Sequence, residues 1–308
     1  MPEHRDLGRQ HPGTQHPGTQ PDGPAALIEV RDLRRSYRRQ RTSLRHRPAP
    51  VEALCGVSFD VPAGHRFGIV GESGSGKSTL LRILCALDPP TSGSVRFDGQ
   101  EIGGRPEREL GFLRQKLQVV FQDPMSALDP RMRVRDIIAE PLIARPEEDA
   151  ATRVPELLAD VGLPPDAGDR FPHQFSGGQR QRISIARALA PRPTVLVADE
   201  PVSALDVSVR AQILNLLGDL VEQHALTLVF VSHDLSVVRH VCDTVAVLRR
   251  GEIVEQGTVE QVHSEPRHEY TRRLIGAVPT LRGALAGVTA AELASGHGRG
   301  SRPAAGTP

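Results

Sequence analysis

The apolar positions of the chain follow two rhythms. Val57, Phe59 and Val61 alternate with polar neighbours, which predicts a half-buried strand, and Pro62-Ala63-Gly64 behind them predicts a turn. Together they read as a hairpin arm leading into a second strand over residues 67–70. After a glycine-rich stretch, Leu80, Leu81, Leu84 and Leu87 recur at helical spacing. Residues 195–198 and 228–231 are apolar without alternation, as expected of strands covered on both faces, and residues 209–221 between them have a helical period. Strands alternating with helices predict an α/β fold with a mainly parallel sheet. Residues 124–169 read as helical and irregular with no strong strand, which suits an inserted helical subdomain.

The two ends differ from this pattern. Residues 1–26, with HPGTQ repeated over residues 11–20, are too poor in apolar side chains to build a core and read as a disordered N-terminal segment. Residues 282–308, rich in Ala, Gly, Ser and Pro, read as a disordered tail. The polar N-terminus is unlike a secretory signal, and no apolar run approaches the roughly 18 residues that span a bilayer, so a membrane role would run through a partner.

Charge and cysteine narrow the picture further. The 38 basic and 37 acidic residues nearly cancel, which does not point to a nucleic-acid partner. Cys55, Cys85 and Cys242 lie far apart and fit neither a disulfide framework nor a paired metal motif, as in a reducing cytoplasm. Lys77 and Lys116 are the only lysines; every other basic residue counted is arginine. A lysine kept in such a chain marks a place where a compact ammonium cannot be replaced by a broad guanidinium.

Lys77 lies in Gly71-Glu72-Ser73-Gly74-Ser75-Gly76-Lys77-Ser78-Thr79, which matches the phosphate loop G-x-x-x-x-G-K-S/T between a predicted strand and a predicted helix. Glycines let backbone N–H groups close around phosphate oxygens, and the helix start adds its positive dipole end. In this arrangement Lys77 bridges the β- and γ-phosphates and the Ser78 hydroxyl ligates Mg²⁺. Asp199 and Glu200 follow the apolar run 195–198, at the strand end where open α/β sheets bind ligands. Asp199 is the candidate Mg²⁺ holder, through water, and Glu200 the candidate general base for the attacking water. His233, after the run 228–231, is placed to contact the γ-phosphate and to orient Glu200 or the water. These residues point to Mg-ATP hydrolysis by a P-loop fold.

Phe175-Ser176-Gly177-Gly178-Gln179 precedes an apolar-periodic helix that Ser176 can cap. Here the chain closely resembles the ATP-binding cassette (ABC) family, whose signature is LSGGQ, with Phe175 where Leu is usual. The resemblance implies a P-loop cassette with a mainly parallel sheet core, an antiparallel β subdomain and a helical subdomain over about residues 124–180. It also implies use of Ser176, Gly177, Gly178 and Gln179 in trans, against the γ-phosphate of ATP held by a second cassette. Gln122 matches the Q-loop, a Mg²⁺ ligand leading into the helical subdomain that meets the membrane partner. Asp206, in Ser203-Ala204-Leu205-Asp206, matches the D-loop between the two sites, and Tyr37 stands where such cassettes place a ring under adenine. The cassette domain is expected over residues 27–257.

Pro172-His173-Gln174-Phe175, Glu140-Pro141-Leu142 and residues 266–274 resemble the dipeptide, oligopeptide and nickel importers. The last resembles that group's HPYT ending, with Glu269 in place of Pro, and marks residues 258–281 as the group's C-terminal extension. The arginine-rich insert 38–50 fits the same group and reads as a solvated loop. No cysteine follows Cys242, so the chain resembles the second ATPase of such importers, the one without an iron–sulfur cluster. The resemblance implies a peripheral subunit at the cytoplasmic face of the cell membrane. It would pair with a second, paralogous ATPase beneath two transmembrane permease subunits fed by an extracytoplasmic solute-binding protein. Two other classes fit the residues less well. An ATP-driven clamp or scaffold of the chromosome-maintenance type would need a long coiled coil between Lys77 and Ser176, where no heptads occur. A kinase would leave the signature and the D-loop unexplained.

Overall fold

The computed structural model describes residues 26–38, 49–144 and 149–276. The chain opens with β1 (Ala26–Tyr37), β2 (Val51–Pro62) and β3 (Arg66–Val70), followed by α1 (Lys77–Leu84), β4 (Ser92–Phe97) and β5 (Gln100–Glu101). Next come α2 (Gly111–Lys116), β6 (Leu117–Val120), α3 (Pro124–Ala127), α4 (Val134–Ala139), α5 (Ala150–Asp160) and α6 (Gly177–Leu189). The last part holds β7 (Val195–Asp199), α7 (Val207–Gln223), β8 (Thr227–Ser232), α8 (Leu235–Val241), β9 (Thr244–Arg249) and β10 (Glu252–Thr258). Helices α9 (Val259–Ser264) and α10 (Glu269–Gly276) close the described chain. The segments expected to be disordered, residues 1–25 and 282–308, lie outside the described residues, as does most of the insert 38–50; Ala26 already belongs to β1.

Two sheets form. One runs β2-β1-β4-β5 and is antiparallel; the other runs β10-β9-β3-β8-β7-β6, parallel except where β10 returns along β9. This corrects the expected hairpin. The strand carrying Val57, Phe59 and Val61 pairs with β1, through Leu33↔Val57, Val30↔Phe59 and Ile28↔Val61, and not with β3. The Pro62–Gly64 turn instead carries the chain from one sheet to the other, where Phe59 and Phe67 stack 4.9 Å apart across the gap. The physical reason is that β3 is buried along most of its length and takes parallel partners on both sides, leaving no edge for β2.

The unalternating apolar runs follow from the layers. Val195, Val197, Val229 and Val231 join one core with α1 and the antiparallel sheet, through Leu80, Ile83, Val30 and Leu54. Leu196, Ala198, Leu228 and Phe230 point the other way, into a second core with α6, α7 and α8. A side chain from each of these strands therefore enters one core or the other at every step, and each fully buried Val, Leu, Ile or Phe contributes about 1.5–3 kcal/mol relative to exposure.

Helices α3, α4 and α5 and short 3₁₀ turns fill the stretch expected to be helical, with no strand in it among the described residues, and α4 and α5 pack on α6. No helix among the described residues is long and apolar enough to cross a membrane. Cys55, Cys85 and Cys242 are free, and burial pushes the Cys85 thiol up to about 12. Because β3, β6, β7 and β8 are parallel, their carboxyl ends share one edge. There the chain continues into Gly71, Phe121-Gln122, Glu200 and His233.

Candidate functional site

The loop after β3 is shaped by close approaches. A Cβ at Gly71 would lie 2.2 Å from the Leu248 carbonyl oxygen. Gly76, the residue before α1, has φ of 110°, and a Cβ there would lie 2.5 Å from the Ala53 carbonyl oxygen. Both positions admit glycine alone. The Gly71 N–H donates to Ser232 O (3.4 Å), the Ser75 N–H to Glu72 O (3.2 Å), and the Gly251 N–H to Ser75 O (2.8 Å). The loop is thus held by β8 and by the turn between β9 and β10, while the first N–H groups of α1 have no partner within the helix.

Lys77 is buried, its side chain 6% exposed. Its Nζ donates to the carbonyls of Gly71 (2.6 Å) and Glu72 (3.1 Å) and lies 3.6 Å from Glu200 Oε1. Burial lowers the ammonium's pKa, and Glu200 and Asp199 oppose that shift. Glu200 takes a left-handed backbone, φ 44°, while its N–H donates to Val231 O at 3.0 Å. A non-glycine residue in this region stores roughly 1–3 kcal/mol of strain, which the flanking ladder must hold. The result is a carboxylate with one oxygen facing Lys77 and the other 2.9 Å from His233 Nδ1.

These residues share one cleft of about 680 Å³. It is lined by Glu72, Ser73, Gly74, Gly76, Lys77, Ser78, Thr79, Gln122, Glu200 and His233, together with Val51, Glu52 and Ala53. Sequence reasoning missed those last three, since nothing in their residue types marks a ligand wall. A glycine-shaped cradle around a buried ammonium fits a polyphosphate. Of the expected oxygen donors, Ser78 and Gln122 line the cleft and fit a hard divalent cation, whereas Asp199 is not among its lining residues. No group of three or more His, Cys, Asp and Glu capable of holding a metal occurs among the described residues.

Asp199 is desolvated, and burial together with the neighbouring Glu200 raises its pKa. A carboxylate whose folded pKa is raised destabilises the fold above its unfolded value, near 3.8, and stops doing so below it. Asp199→Asn is therefore expected to raise the melting temperature at pH 7 without nucleotide. That gain should vanish near pH 3.5, while Mg²⁺-dependent hydrolysis is lost; thermal scans and phosphate release test both halves.

Other expected site residues lie elsewhere. Ser176 caps α6, accepting the Gln179 N–H (3.3 Å) while Gln179 Oε1 accepts the Ser176 N–H (3.0 Å). Gly178 has a packing role as well: a Cβ there would lie 2.4 Å from Val209 Cγ1 on α7. Asp206 caps α7, and the Val209 N–H and Ser208 hydroxyl donated to it lower its pKa. None of Ser176, Gly177, Gly178, Gln179 and Asp206 lines the cleft around Lys77, and of the residues expected in the site Gly71, Ser75 and Asp199 are not in its lining either. Nor is Tyr37. Its hydroxyl donates to Asp88 (2.6 Å) and its ring carries the Arg35 guanidinium at 4.7 Å, although it stands in register with Val51 at the cleft wall.

The ABC transporter family model matches residues 54–203. The oligopeptide transport ATP-binding protein OppD of Mycobacterium bovis is 51% identical over 265 residues, which cover 83% of this chain and 43% of that one. The chain thus spans less than half of that relative's length. The dipeptide transport ATP-binding protein DppF of Escherichia coli is 46% identical over 261 residues, 83% of this chain and 77% of that one. Among solved structures, an ATP-binding cassette in a dimeric post-hydrolysis state bound to ADP and Pi superposes with a TM-score of 0.67 at 31% identity, over 76% of this chain and 99% of that one. The cassette cbiO1 of Clostridium perfringens, part of the ABC transporter complex cbiONQ, superposes with a TM-score of 0.69 at 28% identity, over 85% and 99%. With the phosphate loop, the adjacent carboxylates and the capped signature helix in this order, and with DppF-type relatives matched over most of their length, the chain belongs to the ABC transporter family as one of its ATP-binding cassettes.

Proposed function

We propose that the chain is the ATP-hydrolysing subunit of an importer for peptides or related solutes, at the cytoplasmic face of the cell membrane. The observation that carries this reading is the convergence of Lys77, Glu200 and His233 on one cleft in a chain so similar to peptide-transport ATP-binding proteins. ATP lies with its phosphates along residues 71–79 and its base at the Val51 end, beside Tyr37. Ser78 and Gln122, with Asp199 through water, would hold Mg²⁺, which would supply charge neutralisation at the phosphate oxygens. Glu200 takes the proton of the attacking water, and His233, bonded to its other oxygen, fixes the carboxylate and faces the γ-phosphate.

The signature residues Ser176 to Gln179 lie outside their own chain's cleft, which suits their use against the nucleotide of a second cassette. We assign that partner to a paralogous ATPase, closing head-to-tail, with Asp206 at the seam. The pair works beneath two transmembrane permease subunits supplied by an extracytoplasmic solute-binding protein. Uptake of a labelled dipeptide or tripeptide into cells lacking this chain, restored by the wild type and not by Lys77→Ala, would support the assignment. Undiminished uptake of peptides and of nickel in the absence of the chain would contradict it.

A further inference from the structure

The C-terminal extension reaches the phosphate loop. Tyr270, near the start of α10, is 4% exposed, and its hydroxyl oxygen accepts the Glu72 N–H at 2.9 Å. The loop thereby gains a third tether, one residue after Gly71 and three before Ser75, whose own carbonyl is held by Gly251. The ring carrying the hydroxyl is itself fixed: the Arg249 guanidinium sits 5.0 Å from its centroid, at the end of β9. Its helix start is anchored as well. Glu255 on β10 accepts the N–H groups of Arg267 and His268 (2.8 and 3.0 Å), and His268 Nδ1 accepts the Tyr270 N–H (3.1 Å). A continuous path of bonds therefore runs from β10 through residues 267–270 to the backbone of Glu72.

We propose that Tyr270 is a positioning residue for the phosphate loop, through which the C-terminal extension sets the affinity of the site for nucleotide. The proposal rests on the reading of the cleft as a nucleotide site. Glu72 lines that cleft, and Ser73 and Gly74 follow it directly, so the hydroxyl fixes the first bend of the loop before the phosphates arrive. A loop ordered beforehand loses less conformational freedom on binding, and the saved ordering free energy appears as affinity. Tyrosine suits the task because a packed ring carries its oxygen to a fixed point with only two side-chain torsions. Burial, the largest influence on this phenol, raises its pKa, so the hydroxyl stays neutral next to the polyphosphate.

The test uses the whole chain with ADP as probe, measured by calorimetry alongside thermal melting and amide hydrogen exchange over residues 71–75. Tyr270→Phe removes one oxygen and keeps the ring. It is expected to weaken ADP binding about fivefold, the ratio that one hydrogen bond of ordinary net worth produces. It should also speed exchange at the Glu72 amide and raise the KM for ATP more than it changes kcat. Val262→Ala, buried in the core on the neighbouring helix α9, serves as the structural control. It should lower the melting temperature yet keep ADP affinity within about twofold, because it leaves the Glu72 tether intact. Equal ADP affinity and equal Glu72 exchange in wild type and Tyr270→Phe would overturn the role of Tyr270. So would a Val262→Ala variant that weakens ADP as much as Tyr270→Phe does. A folded wild type that binds no ADP would remove the nucleotide reading itself, and this proposal with it.

Discussion

Glu200→Gln is expected to slow ATP hydrolysis by about a thousandfold, the middle of the range for loss of a positioned general base, while ATP affinity is held or improved. The substitution keeps the size of the side chain and a hydrogen-bonding oxygen for His233, 2.9 Å away. It removes the carboxylate proposed to accept the water's proton. It also removes a negative charge 3.6 Å from Lys77 Nζ, one that repels an incoming γ-phosphate. Both effects act together, so ATP should be bound and kept. In a paired cassette the nucleotide would stay sandwiched and the pair closed. Single-turnover hydrolysis and equilibrium binding separate the two effects. A normal rate would take the base role away from Glu200.

Lys77→Ala is expected to fail one step earlier, weakening Mg-ATP binding by about a hundredfold, as loss of more than one charge-assisted hydrogen bond to phosphate would. The ammonium is buried against two loop carbonyls and Glu200, so nothing nearby replaces its charge. Lys77→Arg is expected to behave like Ala. The guanidinium is planar and wide, and the space under the loop is closed by the Gly71 and Glu72 carbonyls. The chain's near-exclusive use of arginine elsewhere accords with that, for this position keeps lysine. Calorimetry with ADP and with Mg-ATP reads both variants. Affinity retained by Lys77→Arg would mean the site is more open than its geometry indicates.

Much of this site is legible in the sequence because its parts are local. The loop at residues 71–79 needs its glycines, lysine and serine within nine positions, and the strands before Asp199 and before His233 are continuous apolar runs. Their shared edge follows from parallel order alone. What depends on distant pairing was not legible. The partner of β2 is β1, across the arginine-rich insert, and no alternation in residues 57–61 says which neighbour they choose. The left-handed backbone of Glu200, just past β7 with its N–H bonded to Val231 O on β8, appears only once the two strands are paired. Gly178 reads in sequence as an opening for an anion, and its closeness to Val209 appears only once α6 and α7 are packed. Tyr37 draws attention as one of two tyrosines, yet Asp88 and Arg35 decide where its ring and hydroxyl go. The other tyrosine, Tyr270, lies 198 positions from the amide it holds, a separation at which residue type carries no signal.

The importer reading rests most heavily on partners in the membrane. The most direct measurement is purification of the tagged chain from gently solubilised native membranes in the presence of ATP, with mass identification of what accompanies it. Two multi-spanning proteins, together with a second cassette, are the expected result. Recovery of soluble proteins alone, under conditions that keep a known importer assembled, would contradict it.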